Sequence, residues 1–129
     1  MGRRDRCYGV KKIVDNKSVE KVNDCNVIIE ELVQIKKELS VMIGSRESGE
    51  TVVYPVVEME FNNESNQVEY ILSPANISKE LEVKAKKLAH EVSQKFNIYG
   101  IIAVEMFLTN DDELLGNEVA PRPPNSYNY

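Results

Sequence analysis

Two apolar runs joined by a short polar turn are the feature that most constrains this chain. Residues 100–109 read GIIAVEMFLT and residues 114–120 read LLGNEVA, and both runs are rich in β-branched and aliphatic side chains. The residues between them, NDDE at 110–113, have the composition of a turn. Runs of this kind around a short turn are typical of a β-hairpin. The sequence therefore predicts an antiparallel hairpin over residues 100–120.

Each run of this hairpin carries one carboxylate, Glu105 in AVEMF and Glu118 in GNEVA. If the turn centres on Asp111 and Asp112, opposed residues sum to 223, so Glu105 faces Glu118 with Cβ atoms about 5 Å apart. Two like charges in such a half-buried pair are destabilising unless they share a proton or bind a cation such as Mg²⁺. The hairpin therefore suggests a metal site. The alternative is a slipped register with both glutamates on an ordinary, solvent-facing hairpin.

Composition and charge narrow the class of protein. The chain has 129 residues, 42% of them hydrophobic and 29% charged, as expected of one globular domain. Its net charge of −5 argues against general binding to nucleic acid or membrane surfaces. No apolar run approaches the roughly eighteen residues of a membrane-spanning helix, and Cys7 and Cys25 are too few for a disulfide framework. We therefore expect a soluble, cytoplasmic domain.

Several shorter runs predict further strands. They cover residues 8–14, 26–32, 37–46, 51–60 and 68–72. The run at 26–32, NVIIEEL, is β-branched and predicts a buried strand. The next two runs predict a hairpin around ESGE, in which Gly49 is expected to adopt a positive φ. Pro55 cannot donate a ladder hydrogen bond, so it predicts an edge position or a bulge.

One helix is predicted between Ser78 and the region of Asn97. Ser78 is a good N-cap, and Glu80 lies favourably in the first turn. The residues expected to form the buried stripe are Leu81, Ala85, Leu88, Ala89, Val92 and Phe96. Strands with one long helix packed on them predict an α+β fold with a mostly antiparallel sheet.

A set of motifs then identifies a family. The runs IIEE, KELSV, YPVVE, VEMF and NEVAPRP followed by NS occur in order between about residues 26 and 126. In combination they closely resemble the ATP-grasp domain of carboxyaminoimidazole ribonucleotide synthase, the ATP-dependent subunit of phosphoribosylaminoimidazole carboxylase. The resemblance implies an ATP-grasp C-terminal subdomain. It further implies that residues 1–129 form a partial ATP-grasp domain, with 1–25 a degraded remnant of the glycine-rich lid and 26–129 the nucleotide- and metal-binding part.

The resemblance implies an ATP-dependent carbon–nitrogen ligase of purine biosynthesis. ATP would activate bicarbonate as carboxyphosphate, and the amine of aminoimidazole ribonucleotide would take the carboxyl group. The implied cofactors are ATP and Mg²⁺, with Mn²⁺ as an alternative ion. The implied partners are ATP, bicarbonate, aminoimidazole ribonucleotide and a second copy of the chain, with no nucleic acid and no membrane. We expect the isolated chain to be inactive and to bind ATP–Mg weakly.

Two alternatives remain open. The chain could be a non-catalytic remnant or interaction module that keeps the ATP-grasp fold. It could also belong to the ATP-grasp type of glycinamide ribonucleotide formyltransferase, which shares the PRP turn. The pair Asn125–Ser126 after that turn favours the synthase.

The functional residues of the family transfer onto this chain position by position. Glu105 and Glu118 match its two metal-binding glutamates, and Asn117 matches the asparagine before the second one, which strand alternation places on the other face in a supporting role. Glu38 matches the carboxylate that accepts hydrogen bonds from the ribose hydroxyls. The residues matching the adenine end of the cleft are Glu30, Glu31, Leu32 and Val33.

The phosphate and substrate side of the cleft is implied by residues at both ends of the chain. Lys11 or Lys12 stands where a phosphate-binding lysine is expected, although RCYGVKKI lacks most of the glycines of the family lid. The matching residues after the second glutamate are Arg122, Asn125 and Ser126. Pro124 replaces a family histidine, and proline cannot donate a hydrogen bond in its place.

Overall fold

The computed structural model describes Ile13, residues 27–61 and residues 68–121, with residue 61 described by its backbone alone. The chain divides into two units, Met1–Val33 and Gln34–Tyr129, and each is considered by itself. In the first unit, residues 27–33 are irregular rather than a strand, and Ile28 is 89% exposed.

The buried strand predicted over 26–32 is therefore wrong for the described residues of that range. A β-branched run becomes a buried strand only where a neighbouring strand completes its hydrogen bonds and a second layer covers it. Within the described ranges, no strand pairs with residues 27–33. Of the strand predicted at 8–14, only Ile13 is described, and it is irregular and exposed.

The described part of the second unit contains a sheet and one long helix. Its elements are β1 (Ile35–Ser45), β2 (Thr51–Val53), β3 (Val57–Phe61), β4 (Val68–Leu72), α1 (Lys79–Phe96), β5 (Gly100–Thr109) and β6 (Leu114–Ala120). The strands lie in the order β4-β3-β1-β5-β6, and β2 pairs with β1. Every pairing among the described strands is antiparallel. The predicted α+β architecture is confirmed.

Pro55 lies between β2 and β3, where the strand that returns along β1 is interrupted. Ile43 pairs with Val53, and Ser40 pairs with Val57. Between these two pairs, β1 advances by three residues while the opposite chain advances by four. One extra residue therefore lies between β2 and β3. This is the bulge that proline in a strand pattern predicts. The turn prediction also holds, because Gly49 has a φ of 90°.

Helix α1 begins and ends where its sequence predicts. The Ser78 side chain accepts a hydrogen bond of 3.2 Å from the Leu81 amide, which satisfies one of the free donors of the first turn. Asn97 ends the helix in the left-handed conformation, with a φ of 50°. No helix in the described parts of the chain has both the length and the apolar character needed to cross a membrane.

The buried stripe of α1 differs from its prediction at the last turn. The buried positions are Ala85, Ala89 and Ser93, whereas Phe96 is 63% exposed. The hydroxyl of Ser93 lies 3.1 Å from that of Ser45, the final residue of β1. Phe96 lies about one turn further on, past the helix position that reaches the end of β1, and its side chain is exposed.

The core lies between α1 and one face of the sheet. Two alanines on the helix, Ala85 and Ala89, are fully buried against it, and their small side chains allow a close approach. The sheet residues of this core are Leu39, Val41, Ile43, Val56, Ile102, Val104, Met106 and Leu108. Since β1 and β5 both use alternate residues here, their remaining side chains point to the opposite face.

Candidate functional site

The face of the sheet opposite α1 carries the acidic residues. On β1, Glu38 and Ser40 alternate with the core residue Leu39, and on β5 Glu105 alternates with core residues in the same way. Ser40 pairs directly with Glu105, and Glu105 pairs directly with Glu118 on β6. A row of three neighbouring strands thus places two glutamates and a serine side by side. We call this surface the acidic face.

The predicted pairing of Glu105 with Glu118 is confirmed, although the register between the turn and this pair differs from the predicted one. Leu108 pairs with Leu114, so opposed residues near the turn sum to 222 rather than 223. The register then shifts between Glu105 and Met106, and the extra residue on β6 is Asn117. Beyond that bulge the sum is 223, which restores the predicted pair.

The turn of this hairpin is one residue longer than the sequence reasoning assumed. The Thr109 amide donates to the carbonyl of Glu113 at 2.9 Å, so Asn110, Asp111 and Asp112 form a three-residue loop. Asp112 ends that loop in the left-handed conformation, with a φ of 59°. This arrangement is a common hairpin connection. The longer turn and the bulge each shift the register by one residue, and the two shifts cancel at the glutamate pair.

A sequence signal for the bulge was present. Gly116 stands inside an otherwise apolar strand pattern, and an isolated glycine there favours a bulge. Because Asn117 is the extra residue, simple alternation does not assign its face, and its side chain is exposed. Its supporting role stays a prediction.

Glu38 also lies on the acidic face, and both its burial and Glu105 affect its protonation. Burial raises the pKa of Glu38, and the negative charge of Glu105 raises it further. The two carboxylates are therefore close enough to interact, although they pair with different residues across the β1–β5 ladder. A bound cation or a proton would relieve this repulsion.

The donor set fits one kind of metal site. Among the described residues, no group of three or more aspartate, glutamate, histidine or cysteine side chains could hold a metal ion. An all-protein metal cage is therefore not formed by this part of the chain. Mg²⁺ is commonly bound by one or two carboxylates, with waters and substrate phosphates completing the coordination. Glu105 and Glu118, opposed across one hairpin, match that pattern.

The remaining predicted site residues lie either in the first unit or outside the described residues. The adenine-end residues Glu30, Glu31, Leu32 and Val33 belong to the first unit, where they are irregular in conformation, and only Val33 is partly buried. Lys11, Lys12, Arg122, Asn125 and Ser126 lie outside the described residues. Their roles stay predictions.

One buried ion pair was missed by the sequence reasoning. Glu58 is 3% exposed, and its carboxylate accepts from the Lys37 ammonium at 2.5 Å and from the Asn76 amide at 3.1 Å. Glu58 pairs with the core residue Leu39, so it faces α1 rather than the acidic face. The hydrogen bond from the Asn76 amide to Glu58 ties the loop before α1 to the sheet. The sequence pattern of Glu58, a glutamate in an apolar strand, does not distinguish it from Glu105.

The class of protein follows from a comparison with known families. Residues 7–129 match the model of the ATP-grasp domain, and the chain belongs to the ATP-grasp family. The antiparallel sheet with one helix on one face agrees with the solved structures that the chain resembles.

The relatives described next are all named as N5-carboxyaminoimidazole or N5-carboxyaminoimidazole ribonucleotide synthases or synthetases, which confirms the resemblance inferred from the motifs. The chain is 42% identical over 102 residues to N5-carboxyaminoimidazole ribonucleotide synthase of Bacillus subtilis, covering 79% of this chain and 26% of that protein. It is 37% identical, with a TM-score of 0.81, to an N5-carboxyaminoimidazole ribonucleotide synthetase in its ADP complex, covering 88% of this chain and 31% of that one.

A further structural relative contains two ligands. It is the N5-carboxyaminoimidazole synthase from Aspergillus clavatus in complex with ADP and 5-aminoimidazole ribonucleotide, with 31% identity and a TM-score of 0.74 over 85% of this chain and 29% of that one. The chain therefore spans between about a quarter and a third of the length of these relatives.

Proposed function

We propose that the chain supplies the cation- and nucleotide-binding face of an N5-carboxyaminoimidazole ribonucleotide synthase. The observation that carries this proposal is the direct opposition of Glu105 and Glu118 on the acidic face of an ATP-grasp sheet. The relatives support it, since all three are named as synthases or synthetases of this kind and two of them were solved with ADP.

The proposed reaction joins bicarbonate to aminoimidazole ribonucleotide at the expense of ATP. An oxygen of bicarbonate takes the γ-phosphoryl group, which gives carboxyphosphate and ADP. The amine nitrogen then bonds to the carboxyl carbon, phosphate leaves, and the nitrogen loses a proton. Several anionic groups must meet in one cleft, and Mg²⁺ would offset the charge on the phosphates.

Different residues of this chain would bind the cation, the nucleotide and the substrate. Glu105 and Glu118 would hold the cation, and Glu38, on the same face, would accept hydrogen bonds from the ribose hydroxyls. Burial, and then the negative charge of Glu105, raise the pKa of Glu38, and a Mg²⁺ ion bound there with a nucleotide would offset that charge. The residues proposed for the adenine end, the phosphates and the substrate are Glu30, Glu31, Leu32, Val33, Lys11, Lys12, Asn117, Arg122, Asn125 and Ser126.

Further properties belong to this proposal as expectations from the synthase resemblance. They are the use of Mg²⁺ or Mn²⁺, of bicarbonate and of aminoimidazole ribonucleotide, a homodimeric assembly and a cytoplasmic location.

A thermal-shift experiment tests the proposal. The melting temperature of the chain would be measured with ATP, with and without Mg²⁺, and compared with Glu105→Gln and Glu118→Gln. We expect a Mg²⁺-dependent rise for the original chain and its loss in both variants. Glu113→Gln is the matched control, because it removes a carboxylate from the same hairpin at the exposed turn. If all four chains shift alike, the metal assignment is wrong and the interaction-module alternative gains support.

A further inference from the structure

Ser40 is a fully buried polar residue of β1 on the acidic face. Its side chain is 0% exposed, and among the described residues its hydroxyl makes no hydrogen bond. Buried hydroxyls nearly always have a partner, because an unsatisfied one loses its bonds to water without replacement. We therefore asked which neighbouring group could accept a hydrogen bond from this hydroxyl.

The register of the sheet limits what that hydroxyl can reach. Ser40 pairs with Val57 on β3 and with Glu105 on β5. Val57 has no polar side-chain atom, so of these two cross-strand neighbours only Glu105 offers a side-chain acceptor. Directly opposed side chains in an antiparallel pair have Cβ atoms about 4.5–5.5 Å apart. A serine hydroxyl rotates freely enough to donate to a carboxylate at that spacing.

Ser40 also lies beside the glutamate pair of the acidic face. Glu105 is flanked by Ser40 on one side and by Glu118 on the other. A carboxylate that binds a cation with one oxygen has a second oxygen that needs a donor, and such outer hydrogen bonds fix the orientation of metal ligands. Ser40 holds a donor with no other use in the described structure.

We propose that Ser40 is a positioning residue, whose hydroxyl donates a hydrogen bond to Glu105 and orients that carboxylate toward Glu118 when a cation and nucleotide are bound. The inference rests on the proposed function. It assigns to the buried serine a role in cation affinity, and it predicts that the hydroxyl contributes nothing to the stability of the ligand-free fold.

The competing explanation is that Ser40 is merely a small residue at a crowded point of the sheet. In that case the hydroxyl is irrelevant to cation binding, and only the volume of the side chain matters. Ser40→Thr and Ser40→Val separate the two explanations, because threonine and valine have nearly the same shape and differ by the hydroxyl. Any strain from the added methyl group is common to both variants.

The experiment measures binding of Mn²⁺ in the presence of ADP by water-proton relaxation, together with the melting temperature without ligand. We expect Ser40→Val and Ser40→Ala to bind Mn²⁺ about tenfold more weakly than the original chain, and Ser40→Thr to keep most of the affinity. We expect Ser40→Ala to melt at the same temperature as the original chain or higher. Ser45→Ala is the matched control, since the Ser45 hydroxyl lies within hydrogen-bonding distance of that of Ser93. It should lower the melting temperature and leave Mn²⁺ affinity unchanged.

Two outcomes would overturn the inference. One rejects the role of Ser40 alone, and the other also rejects the proposed function. Equal Mn²⁺ affinity in Ser40→Thr and Ser40→Val would refute the role of Ser40 alone, provided that the original chain binds and Glu118→Gln does not. Failure of the original chain to bind Mn²⁺ with ADP would contradict both this inference and the proposed function.

Discussion

Replacing Glu118 with glutamine removes the negative charge that faces Glu105 across the β5–β6 hairpin. Without a cation, this change should stabilise the fold. Opposed residues of an antiparallel pair have Cβ atoms about 5 Å apart, and Glu118 is exposed while Glu105 is half-buried, so water screens the two charges strongly. The repulsion is then about 1 kcal/mol, which agrees with the usual cost of directly opposed like charges.

The assay is unfolding in urea and by heat, in the presence of a chelator and at low ionic strength. For a chain of this size, a gain of about 1 kcal/mol corresponds to a rise in melting temperature of roughly 3–5 °C. The gain should shrink in about 1 M salt, where the screening length falls to about 3 Å. With Mg²⁺ and ATP the order should reverse, because Glu118→Gln would lose the cation.

Glu113→Gln provides the comparison for this prediction. It changes the net charge by the same amount, but Glu113 lies at the turn and pairs through its backbone with Thr109 rather than with another glutamate. If the two variants have the same stability in chelator, or if Glu118→Gln is less stable than the original chain, the reasoning about the glutamate pair is refuted.

Three further predictions concern the fold and its acidic face. The raised pKa of Glu38 means that its charged form costs stability, and this cost is absent below about pH 4 and grows as the pH rises through the folded-state pKa. Glu38→Gln should therefore raise the ligand-free melting temperature at pH 7 and change it little in acid. Glu58→Ala leaves the partly buried Lys37 and the Asn76 amide without their acceptor, and should cost about 3 kcal/mol in urea unfolding. Ser78→Ala removes the cap of α1 and should cost about 1 kcal/mol by the same measurement.

Each of these has a clear contrary result. An equal effect of Glu38→Gln at pH 4 and pH 7 would show that its charge is not the cause. A loss below about 1 kcal/mol for Glu58→Ala would mean that water replaces the ion pair, as it does for exposed pairs. An unchanged stability of Ser78→Ala would show that another group caps the helix.

Local chemistry made the second half of the chain predictable. The cap at Ser78 and the end at Asn97 depend on hydrogen bonds within one or two turns, so the sequence predicts both. The bulge at Pro55 follows from the chemistry of proline alone. In both hairpins, runs rich in apolar residues flank a short polar turn, and this local pattern can be read without information about distant residues.

The errors arise where a segment depends on residues far away in the chain. Residues 27–33 have the composition of a buried strand, but composition does not reveal whether a partner strand is available. Phe96 continues the apolar spacing of α1, yet it lies past the helix position that reaches the end of β1, and its side chain is exposed. The length of the sheet under a helix is a property of the whole fold rather than of the helix sequence.

Counting residues from the turn predicts the Glu105–Glu118 pair but not the residues on the neighbouring strand. The count reached the right pair because a three-residue turn and a bulge at Asn117 compensate each other. The neighbours of the pair were not predictable in this way. Neither the unsatisfied hydroxyl of Ser40 nor the interaction of Glu38 with Glu105 follows from the sequence, because both depend on how β1 lies beside β5.

The most direct test of the cation assignment is a crystal structure of the chain grown with Mn²⁺ and ADP, in which anomalous scattering locates the metal. We expect one Mn²⁺ ion on the acidic face, coordinated by an oxygen of Glu105 and an oxygen of Glu118, with phosphate oxygens completing its shell. An ion bound elsewhere, or bound by neither glutamate, would contradict the assignment of this face as the cation- and nucleotide-binding site.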